Sequence, residues 1–322
     1  MELPQSLRAA LDQVTTARTV ELASHSQELS RRYRERTPKG GRFVQGAPDV
    51  AAYAATRLPA TYAACRAAMN HVAARLPDFA PASLLDTGCG PGTALWAAAT
   101  QWPGIGSFAA LERDGDMLAL ARALAGHAPL DALRRATLTQ ADLCGQWDAP
   151  AHDLVTACYV LGELPPEQAG ELVRRLWQRT AGALLLVEPG TKGGFATVLR
   201  ARDVLIKQGE ALIAAPCPHG DACPMAGGDW CHFSQRVARS RAHRQLKGAE
   251  LGYEDEKYSY ICATRLPVRP MEGRVLRHPL VRKGHVVLSL CTAQGIKETT
   301  LSKRTGAAYQ HAKDLHWGDA ME

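Results

Sequence analysis

Apolar residues recur at helical spacing through residues 1–80, an alanine-rich stretch interrupted by the polar run RRYRERTPKGGRF, which predicts helices joined by a loop. From Ser83 the periodicity changes. Short apolar runs (SLLDTG, FAALERD, ATLTQADL, HDLVTACYVL and ALLLVEPG) alternate with helical segments, the pattern of βαβ units around a parallel sheet. After Pro189 a helix is expected near 196–213, followed by a loop rich in Cys, Pro and Gly over 214–232 and a basic, helix-like run over 233–248. Two further strands, KYSYICATRL and GHVVLSLCT, are expected to complete the sheet as an antiparallel pair at its edge, before a basic tail. The chain is thus read as a helical region (1–80), an α/β core (81–213), a cysteine-rich loop with a basic helix (214–250), and returning strands with the tail (251–322).

Composition narrows the class. Hydrophobic residues at 46% and charged residues at 22% are ordinary globular usage and exclude a disordered or fibrous chain. No apolar run reaches the roughly 18 residues that span a bilayer, and MELPQSLRAALDQ lacks the basic-then-apolar pattern of a secretory signal. Transit peptides are poor in acids, whereas Glu2, Asp12, Glu21 and Glu28 all fall in the opening stretch, so a bacterial cytoplasm is expected. In that reducing setting, nine cysteines point to metal or redox chemistry rather than disulfides. The net charge of +6 is uneven, about +1 over residues 1–200 and about +5 over the rest, so an anionic partner should meet the C-terminal part.

The segment Leu84-Leu85-Asp86-Thr87-Gly88-Cys89-Gly90-Pro91-Gly92-Thr93 joins an apolar strand to a helix, and its alternating glycines allow a tight turn and close approach to a ligand. Its G-x-G-x-G spacing differs from the G-x-G-x-x-G of dinucleotide binders. The next strand ends at Glu112, placed to accept from two ribose hydroxyls, and a third ends at Asp142, placed to accept from an adenine amino group. With these acids in order after the glycine loop, residues 80–200 resemble the class I S-adenosylmethionine (AdoMet)-dependent methyltransferases. That resemblance implies a Rossmann-like sheet and an AdoMet site of Asp86, Gly88, Gly90, Gly92, Glu112 and Asp142; AdoMet has no pyrophosphate for a helix N-terminus to hold.

No catalytic residue stands out. The Asn/Asp-Pro-Pro-aromatic motif of amine methyltransferases is absent after the fourth strand, Asp153-Leu154-Val155-Thr156-Ala157-Cys158. Cys158 reads as a small buried hydrophobe rather than a nucleophile, Cys217 lies past the fifth strand, and Glu188 is either a base or a structural acid. Methyl transfer is implied by fold and cofactor alone.

Cys217, Cys223 and Cys231 fall within fifteen positions of a loop dense in Pro and Gly, and Cys291 in a later strand is the preferred fourth ligand of a soft-metal site. The C-x5-C and C-x7-C spacings are wider than the usual zinc knuckle, which favours an iron–sulfur cluster; zinc stays open, with His219 and His232 as rival fourth ligands. Cys65, Cys89, Cys144 and Cys262 look scattered.

The runs Ala215-Pro216-Cys217-Pro218-His219, Cys223-Pro224-Met225, Asp229-Trp230-Cys231-His232-Phe233 and Glu254-Asp255-Glu256-Lys257-Tyr258 resemble the methyltransferase-like family of the mitochondrial small ribosomal subunit and its bacterial relatives. The match extends to Arg57-Leu58-Pro59-Ala60-Thr61, Val187-Glu188-Pro189-Gly190-Thr191 and Arg277-His278-Pro279. It implies a role in small-subunit assembly or translation and a four-iron, four-sulfur cluster on Cys217, Cys223, Cys231 and Cys291. Arg236, Arg239, Arg241, Arg244 and Lys247, with no acid among them, would spread cations along one side of a helix, and Lys303 and Arg304 add to them from the tail; ribosomal RNA is the expected partner of a monomeric protein. Two functions are carried forward: an rRNA methyltransferase, or a non-catalytic assembly factor in which AdoMet and the metal group stabilise an RNA-binding shape.

Overall fold

A computed structural model describes residues 1–15, 24–29, 31–32, 44, 46–239, 243–244 and 250–322. The helical lead-in is present as Gln5–Thr15, Ala47–Thr56 and Leu58–Arg75, while most of the loop expected after Arg32 lies outside the described residues. Leu58–Arg75 is apolar on nearly all sides, and it packs on the helix Thr93–Gln101 and against the sheet's antiparallel side.

Five strands, β1 (Ser83–Thr87), β2 (Ser107–Glu112), β3 (Thr137–Gln140), β4 (His152–Cys158) and β5 (Thr180–Pro189), lie parallel in the order β3-β2-β1-β4-β5. Both faces are covered, which is why the inner strands read as unbroken apolar runs. In β5, Leu184 and Leu186 pack with the helices Pro166–Gln178 and Lys192–Lys207, whereas Leu185 and Val187 join the opposite core. The chain order reverses between β1 and β4, leaving a crevice at the strands' C-terminal ends, where open α/β sheets bind ligands.

Beyond β5 the sheet becomes antiparallel. The helix expected near 196–213 occupies Lys192–Lys207, and its last residues instead form β6 (Leu212–Ala215). The basic run expected to be helical begins as a strand, β7 (Phe233–Ala238). Its alternate residues Phe233 and Val237 are buried and Arg236 exposed, a two-residue periodicity that the density of cations masked. β8 (Tyr253–Thr264), which contains the KYSYICAT run, pairs antiparallel with β5 on one side and with β6 and β7 on the other.

The second expected edge strand does not join this sheet. β9 (Gly273–Val275), β10 (Leu280–Arg282), β11 (His285–Thr292), β12 (Gly295–Ser302) and β13 (Ala320–Met321) form a separate sheet of five strands among the described residues, with its own core under the helix Ala307–Asp314. The hairpin partner of GHVVLSLCT is therefore β12, a strand whose exposed or half-buried, largely polar positions gave little apolar signal.

After β5 the chain turns into Lys192–Lys207 through Thr191, whose hydroxyl accepts from Gly194 N at 3.1 Å. A Cβ at Gly194 would stand 1.9 Å from the Pro189 carbonyl oxygen. Gly194→Ala should therefore destabilise the fold by about 1–3 kcal/mol through overpacking against rigid backbone; an unfolding midpoint in urea unchanged from the parent would show that the turn has slack.

Candidate functional site

The crevice holds a cavity of about 460 Å³, within the roughly 300–1,000 Å³ of small-molecule sites. Asp86, Gly88, Gly90, Glu112 and Asp142 all line it. Gly92 does not; it stands one step behind, in a left-handed conformation at the N-cap of Thr93–Gln101. Gly88 also has positive φ, and a Cβ there would meet a Val160 methyl at 2.3 Å, so both conformation and close packing require glycine.

The loop's own N–H groups are engaged. Gly88 N and Cys89 N donate to the Leu111 carbonyl at 2.8 and 3.1 Å, Gly90 N to Glu112 Oε2 at 2.7 Å, and Gly92 N to the Cys89 carbonyl at 2.9 Å. This is a rigid platform rather than a phosphate cradle, whose N–H groups would face the ligand. Glu112 Oε1 accepts from Asp114 N at 2.8 Å, so each carboxylate oxygen is oriented by one backbone bond and retains a lone pair toward the cavity. Asp142, at the rim, is fixed by accepting from Cys144 N at 3.0 Å.

Asp86 is buried under the loop. Thr156 Oγ1 donates to its Oδ1 at 2.6 Å, and Oδ2 has no partner. Burial, opposed by the Thr156 bond and aided by the neighbouring Glu112, raises its pKa to about 7.

The residues weighed for catalysis are not placed for it. Cys158 touches the cavity, but the neighbouring Cys65 together with burial pushes its thiol well above the ordinary range, away from thiolate formation. Glu188 is 2% exposed and lies behind the turn Leu161–Glu163, where a Cβ on Gly162 would meet its carboxyl at 2.7 Å; it is not part of the cavity wall. The wall does include Tyr159, which among the described residues alone combines a side chain with a positive φ, 61°. Its hydroxyl donates to Glu256 Oε1 at 3.1 Å, and Arg57 reaches the same oxygen at 3.5 Å. Arg57 and Glu256 lie in runs that carry the family resemblance, but nothing in the sequence joined them to Tyr159, since the three come from distant segments.

The four cysteines come together. Cys217, Cys223, Cys231 and Cys291 line one small cavity of about 30 Å³, with Phe195, Leu199, Met225 and Leu276 as apolar wall. Cys217 leaves β6, Cys231 precedes β7 and Cys291 comes from β11, so the cavity joins both sheets. Among the described residues no three His, Cys, Asp or Glu groups are gathered as a single-ion site; the thiols are distributed around the wall. His219 also lines the cavity, whereas His232 turns away to stack on Trp230, ring centroids 4.8 Å apart.

The basic surface differs most from expectation. With 233–238 in a strand, Arg236 and Arg239 meet acids of β8: Arg236 forms a two-pronged pair with Asp255 at 2.8 and 3.0 Å, and Arg239 reaches Glu254 at 2.9 Å. Arg244 is exposed, while Arg241 and Lys247 lie outside the described residues. Lys303 and Arg304 are exposed in a short turn after β12.

A family profile described as the mitochondrial small ribosomal subunit Rsm22 matches residues 47–322. The chain belongs to the Rsm22 family. It is 30% identical over 297 residues to the human protein named ribosome assembly protein METTL17, mitochondrial, covering 84% of this chain and 61% of that one. It is 26% identical to the mitochondrial Rsm22-cox11 tandem protein 2 of Schizosaccharomyces pombe, over 84% of this chain and 43% of the relative. The chain thus spans about half of the length of these relatives. Among solved structures, a Synechocystis magnesium protoporphyrin IX methyltransferase with bound SAH is 13% identical, with TM-score 0.43 over 74% of this chain and 94% of that one; a likeness of this degree identifies neither ligand nor reaction. The family and both relatives are named as mitochondrial, which overturns the bacterial cytoplasm inferred from early acidic residues. Glu2 and Asp12 flank or belong to the helix Gln5–Thr15, whose Leu7 and Leu11 are buried in the main core, so these acids belong to a folded element and carry no targeting information.

Asp86 makes the stability of the fold depend on pH. Its folded pKa of about 7 lies above the ordinary carboxyl value near 4, so the folded state holds the extra proton between these values and stability falls as pH rises from about 4 to about 7. Asp86→Asn, which keeps the acceptor for Thr156, should remove that slope. Measured by urea unfolding, the variant should gain on the parent between pH 5 and pH 8 by about 2–3 kcal/mol; parallel pH profiles for the two proteins would place the ionised carboxylate in the native state.

Proposed function

We propose that this chain binds AdoMet in the cavity lined by Gly88, Gly90, Glu112 and Asp142 and serves the small ribosomal subunit as an assembly factor. The observation that carries the first part is the rigid glycine platform facing an oriented Glu112 carboxylate, with Asp142 at the rim. The carboxylate suits the ribose hydroxyls and Asp142 the adenine amine, while the shortage of free N–H groups suits a cofactor without a pyrophosphate. The name of the human relative and that of the family support the second part. RNA is the proposed contact, through Arg244, Lys303 and Arg304 and the cations 241 and 247, rather than through the neutralised Arg236 and Arg239.

Binding without transfer is favoured over rRNA methylation because neither residue that the sequence offered as nucleophile or base is placed for it: Cys158 is buried beside Cys65, and Glu188 lies outside the cavity wall. Methylation is the second reading, and Tyr159, beside Glu256 and Arg57, is then the group placed to orient an acceptor.

The thiol cavity fits an iron–sulfur cluster. Its donor set is four soft thiols with no carboxylate, its wall is otherwise apolar, and the thiols surround a volume instead of meeting at one point, as expected when each sulfur binds a different iron. A four-iron, four-sulfur cluster, when bound, would supply a cross-link between the loop 216–232 and β11. The residues themselves tie the second sheet to the first, so the proposed role of the site is structural.

Glu112→Ala should weaken AdoMet binding by roughly 2–3 kcal/mol, because ribose hydroxyls would lose an oriented acceptor; unchanged affinity by calorimetry would take Glu112 out of the site. Single-turnover incubation of immature small subunits with labelled AdoMet should give no transfer to RNA while the cofactor binds; stoichiometric label in RNA would establish methylation instead. Serine at Cys217, Cys223, Cys231 or Cys291 should lower iron and sulfide content together and leave AdoMet affinity within about twofold. Protein isolated without oxygen that carries stoichiometric zinc and no sulfide would remove the cluster.

A further inference from the structure

Two buried arginines face the thiol cavity without a counter-charge. Arg202, on Lys192–Lys207, is 3% exposed, and Arg274, on β9, is 2% exposed; both line the cavity with the four cysteines. Their bonds go to neutral carbonyls. Arg202 Nη2 donates to His219 O at 3.1 Å and Asp221 O at 2.5 Å, and Arg274 donates through Nε to Pro216 O at 2.8 Å and through Nη1 to Gly318 O at 2.7 Å. These four carbonyls fix the two side chains and brace the cysteine loop. Arg202 Nε and Arg274 Nη2 remain buried with no acceptor. The carboxylate nearest Arg202, Asp203, is 4.0 Å away and mostly in solvent, and among the described residues Arg274 has no ion-pair partner. Both guanidiniums act electrostatically on Cys217 and Cys291, and Arg274 also on Cys231.

A buried guanidinium with an unused N–H is among the costlier arrangements in a protein interior, and here two converge on one cavity. Arginine cannot relieve that cost by deprotonating. The cost is offset only if the cavity carries negative charge and sulfur acceptors. We propose that Arg202 and Arg274 are the counter-charges of the four-thiolate site, donating Arg202 Nε–H and Arg274 Nη2–H to its sulfurs and raising the reduction potential of the group it holds. The sign follows from charge: four thiolates on an oxidised four-iron, four-sulfur core make a dianion, which two guanidiniums neutralise. One added electron makes the site more negative, so the cations favour the reduced form. This inference rests on the cluster reading above. The two arginines act through the cluster's surroundings and are positioning residues.

The test uses the full chain, purified without oxygen, with iron and sulfide measured first and the reduction potential then titrated with dithionite through mediators, following the reduced cluster by electron paramagnetic resonance. Arg202→Met and Arg274→Met should each shift the potential to more negative values, and Arg202→Lys and Arg274→Lys should recover part of the shift, since lysine restores the charge without the fork. Loss of the cluster from the methionine variants but not from the lysine variants equally supports the charge. Loaded methionine variants at the parent potential would overturn the proposal, as would loss of the cluster from lysine and methionine variants alike, which marks a packing role. Parent protein without iron and sulfide would instead defeat the cluster reading on which the proposal stands.

Discussion

The ladder between β5 and β8 is the constraint from which the rest of the molecule is arranged. Seven consecutive residue pairs, from Ala183 opposite Thr264 to Pro189 opposite Tyr258, join the parallel half of the sheet to the antiparallel half. The other edge of β8 then takes β6 at its C-terminal end and β7 at its N-terminal end. The cysteine loop leaves the sheet from β6 and returns into β7, so both of its ends are held by one strand. A segment of 216–232, with little regular structure of its own, is thereby confined to one place beside Lys192–Lys207, whose Arg202 bonds its backbone. Without the β5–β8 ladder, neither the loop nor Cys291 on the neighbouring sheet would have a defined partner.

What was legible in the sequence was what depends on local chemistry. The glycine loop, Glu112 and Asp142 could be placed because each sits at the end of an apolar strand in a repeating βαβ unit, where chain order and spatial order agree. The four cysteines could be grouped because loop spacing and a soft donor set carry information that does not require the fold. What failed depends on pairing across long separations. Residues 233–238 were read as a helix from their cations, yet the acids that neutralise them are on β8, with Asp255 opposite Arg236 in the register and Glu254 beside it. Arg202 and Arg274 carried no signal, because an arginine in a helix or a short strand is ordinarily at the surface.

The two cavities are opposite in electrostatic character although one sheet supports both. The AdoMet candidate is walled by Asp86, Glu112 and Asp142 and has its acids oriented by backbone N–H groups and a threonine hydroxyl. With Asp86 holding its proton up to about pH 7, the negative charge rests on Glu112 and Asp142; it favours a cationic ligand, and AdoMet carries a sulfonium. The thiol cavity is walled by two guanidiniums oriented by backbone carbonyls, which favours an anionic occupant. In each case the backbone sets the direction of the charged group before any ligand arrives, so little reorganisation is needed on binding.

Separation of the two sites also bears on how they cooperate. Tyr258 and Tyr260 belong to β8, and Tyr260 lines the thiol cavity; four residues back along the same strand, where β8 pairs with β7, Glu256 meets Tyr159 and Arg57 beside the AdoMet candidate. β8 therefore lines the thiol cavity and, through Glu256, bonds a wall residue of the other. Its residues 258–264 are buried throughout, whereas 253–257 alternate between exposed and half-buried, so the end nearer the AdoMet candidate is the end with the least packing to hold it. Whatever tightens the cysteine loop acts on the ordered end of this strand, and whatever engages Tyr159 acts on the looser one. A strand anchored at one end and hydrogen-bonded to a strained tyrosine at the other links the two sites physically, and the local stability of 253–257 is the quantity on which communication along it depends.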